Sequence, residues 1–167
     1  MIDSFRFLPR SFVPMYENPV PVPGEEDEVW APLPTRLARA RLALVTSAGL
    51  YLEGDQEPFD VERERREPLW GDPTHRVLPT SLAGRALGMT HLHVNPDDVL
   101  ADPEIALPLD GLAGLVAEGR VGSVAPSHYS VMGFQEAGLA VWRAETAPAI
   151  VARLRDEAVD GVVLAPV

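Results

Sequence analysis

The sequence contains no cysteine, and all 14 of its basic residues are arginine. Without cysteine these residues can supply no disulfide, no thiolate nucleophile and no thiolate metal site, and cysteine usage says nothing about the redox compartment. Without lysine, Schiff-base catalysis and the phosphate-loop lysine are excluded. No apolar run approaches the length that spans a bilayer. The N-terminus breaks its apolar residues with Arg6, Pro9 and Arg10, so it lacks the continuous apolar core of a signal peptide. A cytoplasmic protein is the expectation. Positive charge is scarce as well: 25 acidic residues against 14 basic ones give a formal net charge of -11. A nucleic-acid backbone or an anionic membrane would need clustered basic residues, so neither is expected as a partner. The acidic surface reads as solubility.

What is present is globular. Hydrophobic residues make up 46% and charged residues 23% of 167 positions, enough for one domain with a real core. Residues 1–40 form an expected proline-rich arm, with Pro9, Pro14, Pro19, Pro21, Pro23, Pro32 and Pro34 and the acidic run Glu25-Glu26-Asp27-Glu28. Proline fixes φ and removes donors, which favours an extended segment. Phe5, Phe7, Phe12, Met15, Tyr16 and Trp30 give that arm apolar anchors for docking on a domain or a partner.

Residues 41–167 read as an α/β domain. Leu42–Thr46 suits a buried strand closed by the turn Ser47-Ala48-Gly49, whereas Leu52–Asp72 is charged and reads as a long loop with a helical turn. His75–Leu78, Thr90–Val94 and Val121–Ala125 are further expected strands, each followed by proline or Asn-Pro. A helix is expected from Asp110, with Leu112, Leu115 and Val116 on one face and Gly119 as its stop. Thr146 can cap another, with Pro148 in its first turn and Ile150, Val151, Leu154 and Ala158 on its buried side. Asp160–Val167 is a strand. Strands alternating with helices predict a largely parallel sheet of βαβ units, incomplete at its C-terminus because no loop or covering helix follows.

Polar clusters follow the expected strands, and in parallel sheets such loops line one crevice. The candidates for binding a substrate or partner are Thr46, Ser47, Gly49 and Asp55 after the first strand, His91, His93 and Asn95 at the middle one, and His128, Tyr129 and Ser130 after the next. Each cluster also has a purely structural reading. Thr46–Gly49 fits a tight turn as well as a ligand loop, and it lacks the spaced glycines of a dinucleotide fingerprint. His91 and His93 share one side of a strand and could hold a metal, yet spacing fixes no third ligand. Asp97 and Asp98 after Pro96 suit the first turn of a helix. Ser127 and His128 are sequence neighbours, which does not make a nucleophile-base pair, and no nucleophile elbow is present.

Taken in order, these segments resemble a known family. Leu44-Val45-Thr46-Ser47-Ala48-Gly49-Leu50-Tyr51, Gly54-Asp55-Gln56-Glu57-Pro58-Phe59-Asp60, His91-Leu92-His93 and the run from Gly119 to Gly133 are similar to the selenoprotein B family of glycine, sarcosine and betaine reductases, which also includes the selenoprotein subunit of D-proline reductase. The resemblance covers almost the whole chain, including the arm around Trp30-Ala31-Pro32-Leu33. It implies an oxidoreductase acting on X–H and Y–H with a disulfide as acceptor, cleaving a C–N bond reductively in an amino acid or its N-methylated derivative. It further implies a multi-subunit oligomer, a selenocysteine or cysteine nucleophile directly after a strand like Asp160–Val167, and a pyruvoyl group on a partner subunit. A chalcogenolate at a helix N-terminus is stabilised by unpaired N–H groups and the dipole. No position here carries that nucleophile. Selenocysteine is encoded by UGA, so the resemblance leads to the expectation of a selenoprotein read as stopping at that codon. Two other readings remain open from the residues: a non-catalytic α/β scaffold or binding subunit, and a metal-dependent hydrolase built on His91 and His93.

Overall fold

Strand β1 (Arg41–Thr46) is the axis of the sheet, and four of its six residues, Leu42, Ala43, Leu44 and Thr46, are buried. Near-continuous burial of this kind is what a parallel strand covered on both faces requires. The computed structural model describes residues 31–67, 70–92, 94–135 and 138–167. Of the expected arm, residues 1–30 lie outside the described residues. The unit Leu33–Val167 is described below.

On one side β1 pairs in parallel with β7 (Gly161–Ala165), from Leu42↔Gly161 to Thr46↔Ala165. Other parallel partners are β5 (Ser123–Val124), at Arg41 and Leu42, and β6 (Ser127–Val131), at Val45 and Thr46. The outer edge of β6 takes β3 (His75–Pro79) in antiparallel register. A separate antiparallel ladder joins β2 (Leu50–Leu52) to β4 (Leu87–Met89). The fold is therefore α/β with a largely parallel sheet, as the alternating pattern predicts.

Four α-helices of six residues or more, among the described residues, complete the unit. α1 (Val61–Arg66) is capped by Asp60, whose side chain accepts from the Arg63 N–H, and α2 (Pro96–Ala101) by Asn95, which accepts from Asp97. Each cap satisfies an orphan donor of the first turn. α3 (Leu109–Ala117) begins one residue before the expected Asp110 and is followed by Gly119 at φ +70°. α4 (Ala147–Asp156) continues from a short α-helical segment at Leu139–Val141 through a π-helical segment, Trp142–Thr146. It lies between β6 and β7 in the chain, so the three make a βαβ unit.

The two sheet faces have separate apolar cores. Leu42, Leu44 and Leu78 pack with Leu50, Leu52, Val99, Leu107 and Leu112 on one side. Tyr129, Val131, Val45 and Val77 meet Ile150, Leu154 and Trp142 on the other. Each fully buried aliphatic side chain contributes about 1.5–3 kcal/mol.

Several expectations need correction. Thr90–Val94 is not a strand: β4 ends at Met89, and among the described residues Leu92 and Val94 are bends leading to the Asn95 cap. Past Met89 the Thr90 N–H still bonds the Gly49 carbonyl, and there the pairing stops, with Gly49 at φ +66° between β1 and β2. Ser127–Ser130 is not a loop but most of β6. Pro126 falls where the register against β1 slips by two residues, between Leu42↔Val124 and Val45↔Tyr129, so its missing N–H costs no ladder bond. Thr146 does not cap α4; it is itself helical and its hydroxyl donates to the Pro73 carbonyl at 2.5 Å. Val151 is 39% exposed, and Ala158 lies past the helix end at φ +52°.

Candidate functional site

Because β1, β6 and β7 run parallel, their carboxyl ends meet at one edge of the sheet, where open α/β sheets place ligands. Thr46 ends β1 with its hydroxyl accepting from the Ala48 N–H at 3.2 Å. The Ser47 N–H donates to the Ala165 carbonyl at 3.2 Å, and the Gly49 N–H to the Val131 carbonyl at 3.1 Å. All three N–H groups of the Ser47–Gly49 turn are thus engaged within the protein, so the turn is not an anion-binding nest. Gly49 is fixed by geometry: a Cβ there would lie 2.2 Å from the Thr90 carbonyl oxygen, and φ is positive. The Thr90 N–H returns a bond to the Gly49 carbonyl at 3.0 Å.

The Ser47 hydroxyl adds a further rung. It accepts from the Val167 N–H at 2.9 Å, which extends the β1–β7 ladder by one side chain. Exposed Gly133 borders the same spot, where a Cβ would sit 3.4 Å from the Ser47 hydroxyl. Thr46, Ser47 and Gly49 therefore come together at the carboxyl edge, and Thr90 carries the edge on to His91.

His91 lines an open cleft of about 700 Å³ with Tyr51, Phe59, Met89, Thr90 and Arg65. Tyr51 lies opposite Gly88 in the β2–β4 ladder, and its ring occupies the space a side chain at Gly88 would need. Phe59 is buried, with the Arg76 guanidinium stacked 4.2 Å from its ring centroid. Arg76 in turn donates to the carbonyls of Glu57 and Pro58, at 2.7 and 3.0 Å. Gln56 ties the same segment down, accepting from the Leu52 N–H and donating to the Val77 carbonyl. The segment Gly54–Asp60 is thus a braced wall of the cleft.

The remaining candidates lie elsewhere. Asp55 pairs with Arg85 at 2.9 Å on the surface. Asn95 is occupied as the α2 cap. His93 lies outside the described residues. Among the described residues no group of three or more His, Asp or Glu is placed to hold a metal ion.

His128, Tyr129 and Ser130 are completely buried in β6. The Leu44 N–H donates to His128 Nδ1 at 2.9 Å, filling the gap that the register slip leaves in the β1 ladder. Nδ1 therefore carries no proton, and Nε2 faces the Thr80 hydroxyl at 3.3 Å. Burial lowers the imidazole pKa to about 4, against a smaller opposite pull from Glu157. Burial raises the pKa of the Tyr129 hydroxyl, which lies near the Arg153 guanidinium without reaching full hydrogen-bond geometry. Ser130 pairs in register with Thr46, and its hydroxyl is buried without a partner.

His75 is a site residue that the sequence does not single out. It begins β3, opposite Val131 at the end of β6, which brings it to the carboxyl edge with its ring 6.1 Å from that of Tyr129. Burial, then the charges of Arg76 and Arg153, lower its pKa and favour the neutral ring. Only the antiparallel pairing of β3 places it there, and a single strand in sequence carries no sign of its partner.

The family described as glycine/sarcosine/betaine reductase selenoprotein B matches the sequence over residues 14–167. The chain belongs to this family. The D-proline reductase subunit gamma of Acetoanaerobium sticklandii is 29% identical over 155 residues, covering 89% of this chain and 57% of its own length. The betaine reductase complex component B subunit beta of Peptoclostridium acidaminophilum is 28% identical over 150 residues, covering 89% of this chain and 33% of its own. The chain thus spans about half the length of the first relative and a third of the second. No solved structure matches it significantly. In this selenoprotein B-type chain, the braced segments Leu44–Tyr51 and Gly54–Asp60 are two of the four that carry the resemblance. No helix among the described residues is long and apolar enough to cross a membrane.

Proposed function

We propose that this chain is a subunit of a cytoplasmic, multi-subunit amino-acid reductase, and that the carboxyl edge of β1, β6 and β7 forms one wall of its reaction site. The substrate class is glycine, sarcosine, betaine or a D-proline-like compound. The observation that carries the reading is the family match together with the convergence of Ser47, Gly133 and Val167 at one sheet edge. Reductive cleavage delivers two electrons and a proton to the C–N bond of an ammonium substrate, freeing the amine from an acyclic one and opening the ring of a cyclic one, while a thiol or selenol is oxidised. The sequence holds no thiol. The selenocysteine or cysteine and the pyruvoyl group therefore belong, in this reading, to polypeptide outside these 167 residues. The chain's own contribution is to shape the wall: Ser47 fixes the end of β7, Gly133 leaves the mouth open, and His91 and neutral His75 flank it.

The test is purification of the native assembly from its own cells, with intact mass and selenium content measured, and reductive C–N cleavage assayed with a dithiol donor as amine release from glycine, sarcosine and betaine and as ring opening of D-proline. Cleavage of one of them, in an assembly containing this chain, is the expected result. A folded assembly that cleaves none of the four overturns the reading.

A further inference from the structure

We propose that the outer edge of β7 is a self-pairing surface, along which a second copy of this chain adds its own β7 in antiparallel register. Among the described residues β7 pairs with β1 alone. The Ala165 carbonyl and the Val167 N–H both turn inward, to the Ser47 N–H and hydroxyl. Backbone groups alternate along a strand, so Val162 and Leu164 present theirs on the outer side. Pro166 has no N–H and closes that open run after Leu164.

Val162, Val163 and Leu164 are exposed, Leu164 by 72%, and apolar surface flanks them on both faces. Leu164 lies beside Val45 on the α4 side of the sheet, and Val163 beside Leu44 on the other. Arg153 leaves α4 towards Tyr129 in β6, so exposed Val151, half a turn round the helix, stands on the β7 flank. On the opposite face exposed Leu33 meets the strand at Gly161, where a Cβ would lie 3.1 Å from its side chain. With exposed Val167, six apolar side chains surround one strand edge.

Charge and symmetry name the occupant. Each copy carries a net charge of -11, so two copies repel over most of their surfaces, yet Gly161–Val167 has no charged side chain. An uncharged strand, apolar on both faces, fits another of its kind, and β7 supplies it. The register that uses the whole open run centres the two-fold on Val163 and sets Val162 against Leu164 of the second copy. A closed two-fold stops association at two. The edge and its six side chains amount to on the order of 1,000 Å² over both copies, where stable interfaces begin. The contact is independent of the reaction the chain serves, so its failure leaves the reductase reading standing.

The full chain has no cysteine, so Val163→Cys places a single thiol at the two-fold axis. Directly opposed positions lie within disulfide reach, whereas the two Leu164 positions, offset by two residues, lie beyond it. Under mild copper-phenanthroline oxidation Val163→Cys should link two copies at least about tenfold faster than Leu164→Cys. In sedimentation velocity the wild-type chain should run at the mass of two copies. Val163→Lys, folded by circular dichroism, should run at the mass of one, because like charges meet at the axis. A wild-type chain that stays single at millimolar concentration overturns the proposal. So does a dimer that Val163→Lys leaves intact, or equal linking at the two thiol positions. In the native assembly, a Val163→Cys link to a different polypeptide in place of a second copy overturns it as well.

Discussion

The Leu44 backbone N–H donates to the Nδ1 atom of His128, a side chain standing in for a backbone carbonyl in the middle of a parallel sheet. The imidazole, itself fully buried, is held from its far side by Thr80, whose hydroxyl also donates to the Ala125 carbonyl. The sheet thus absorbs a two-residue register slip without leaving the buried Leu44 N–H unpaired.

Replacing His128 by alanine removes the acceptor and opens a cavity at once. A loss of about 2–5 kcal/mol in urea-unfolding free energy is expected. A loss under about 1 kcal/mol would show that the rung is dispensable.

The same histidine sets an acid dependence. Its folded pKa of about 4 lies below the ordinary 6.5, so the unfolded chain binds the proton more readily. Stability therefore falls as pH drops from 6.5 towards 4, and this contribution is flat above and below that window. Its full extent is on the order of 3 kcal/mol. Many carboxylates titrate nearby, so the comparison is between wild type and His128→Gln. The slope of stability against pH should be smaller in the variant, and parallel curves would refute the linkage.

Two glycines with similar backbone angles separate strain from collision. Gly49 and Gly54 have φ of +66° and +81°, but only at Gly49 would an added Cβ meet a neighbour within 4 Å, the Thr90 carbonyl oxygen at 2.2 Å. Gly54→Ala should cost about 1–2 kcal/mol from the left-handed backbone alone. Gly49→Ala should cost clearly more in the same chemical denaturation, because the Thr90 carbonyl has to move. Equal costs would mean that the turn relaxes freely.

Ser47→Ala tests the last rung. The bond lies at the surface, so global stability should change by about 1 kcal/mol or less. Hydrogen exchange at the Val167 amide should accelerate severalfold while exchange in β1 stays unchanged. Unaltered exchange at Val167 would count against the rung.

The fold class was legible because Leu42–Thr46 and Gly161–Ala165 are continuous apolar runs and α3 and α4 carry helical spacing. The turn at Gly49 and the caps at Asp60 and Asn95 also follow from local residue chemistry. Pro126 misleads, since proline ends a strand unless a register slip receives it, and a slip is a property of two strands. His128 next to Tyr129 reads as a polar loop for the same reason: its partner, Leu44, is 84 residues away. At the candidate site, Thr46, Ser47 and Gly49 could be placed because they terminate a readable strand. His75 and the aromatic cleft could not, because antiparallel pairing of β3 and the fit of Tyr51 over Gly88 arise only in the assembled fold.

The position of β1 has a consequence for how the chain reaches this state. This strand is synthesised ahead of its hydrogen-bonding partners, which start at Ser123, Ser127 and Gly161. An apolar strand must therefore wait through some 80 residues of synthesis before its first rung can close, and through about 120 before its last. During that interval it is an unpaired template, and the speed with which a cell shelters it will decide the yield of folded protein as much as the stability of the finished sheet.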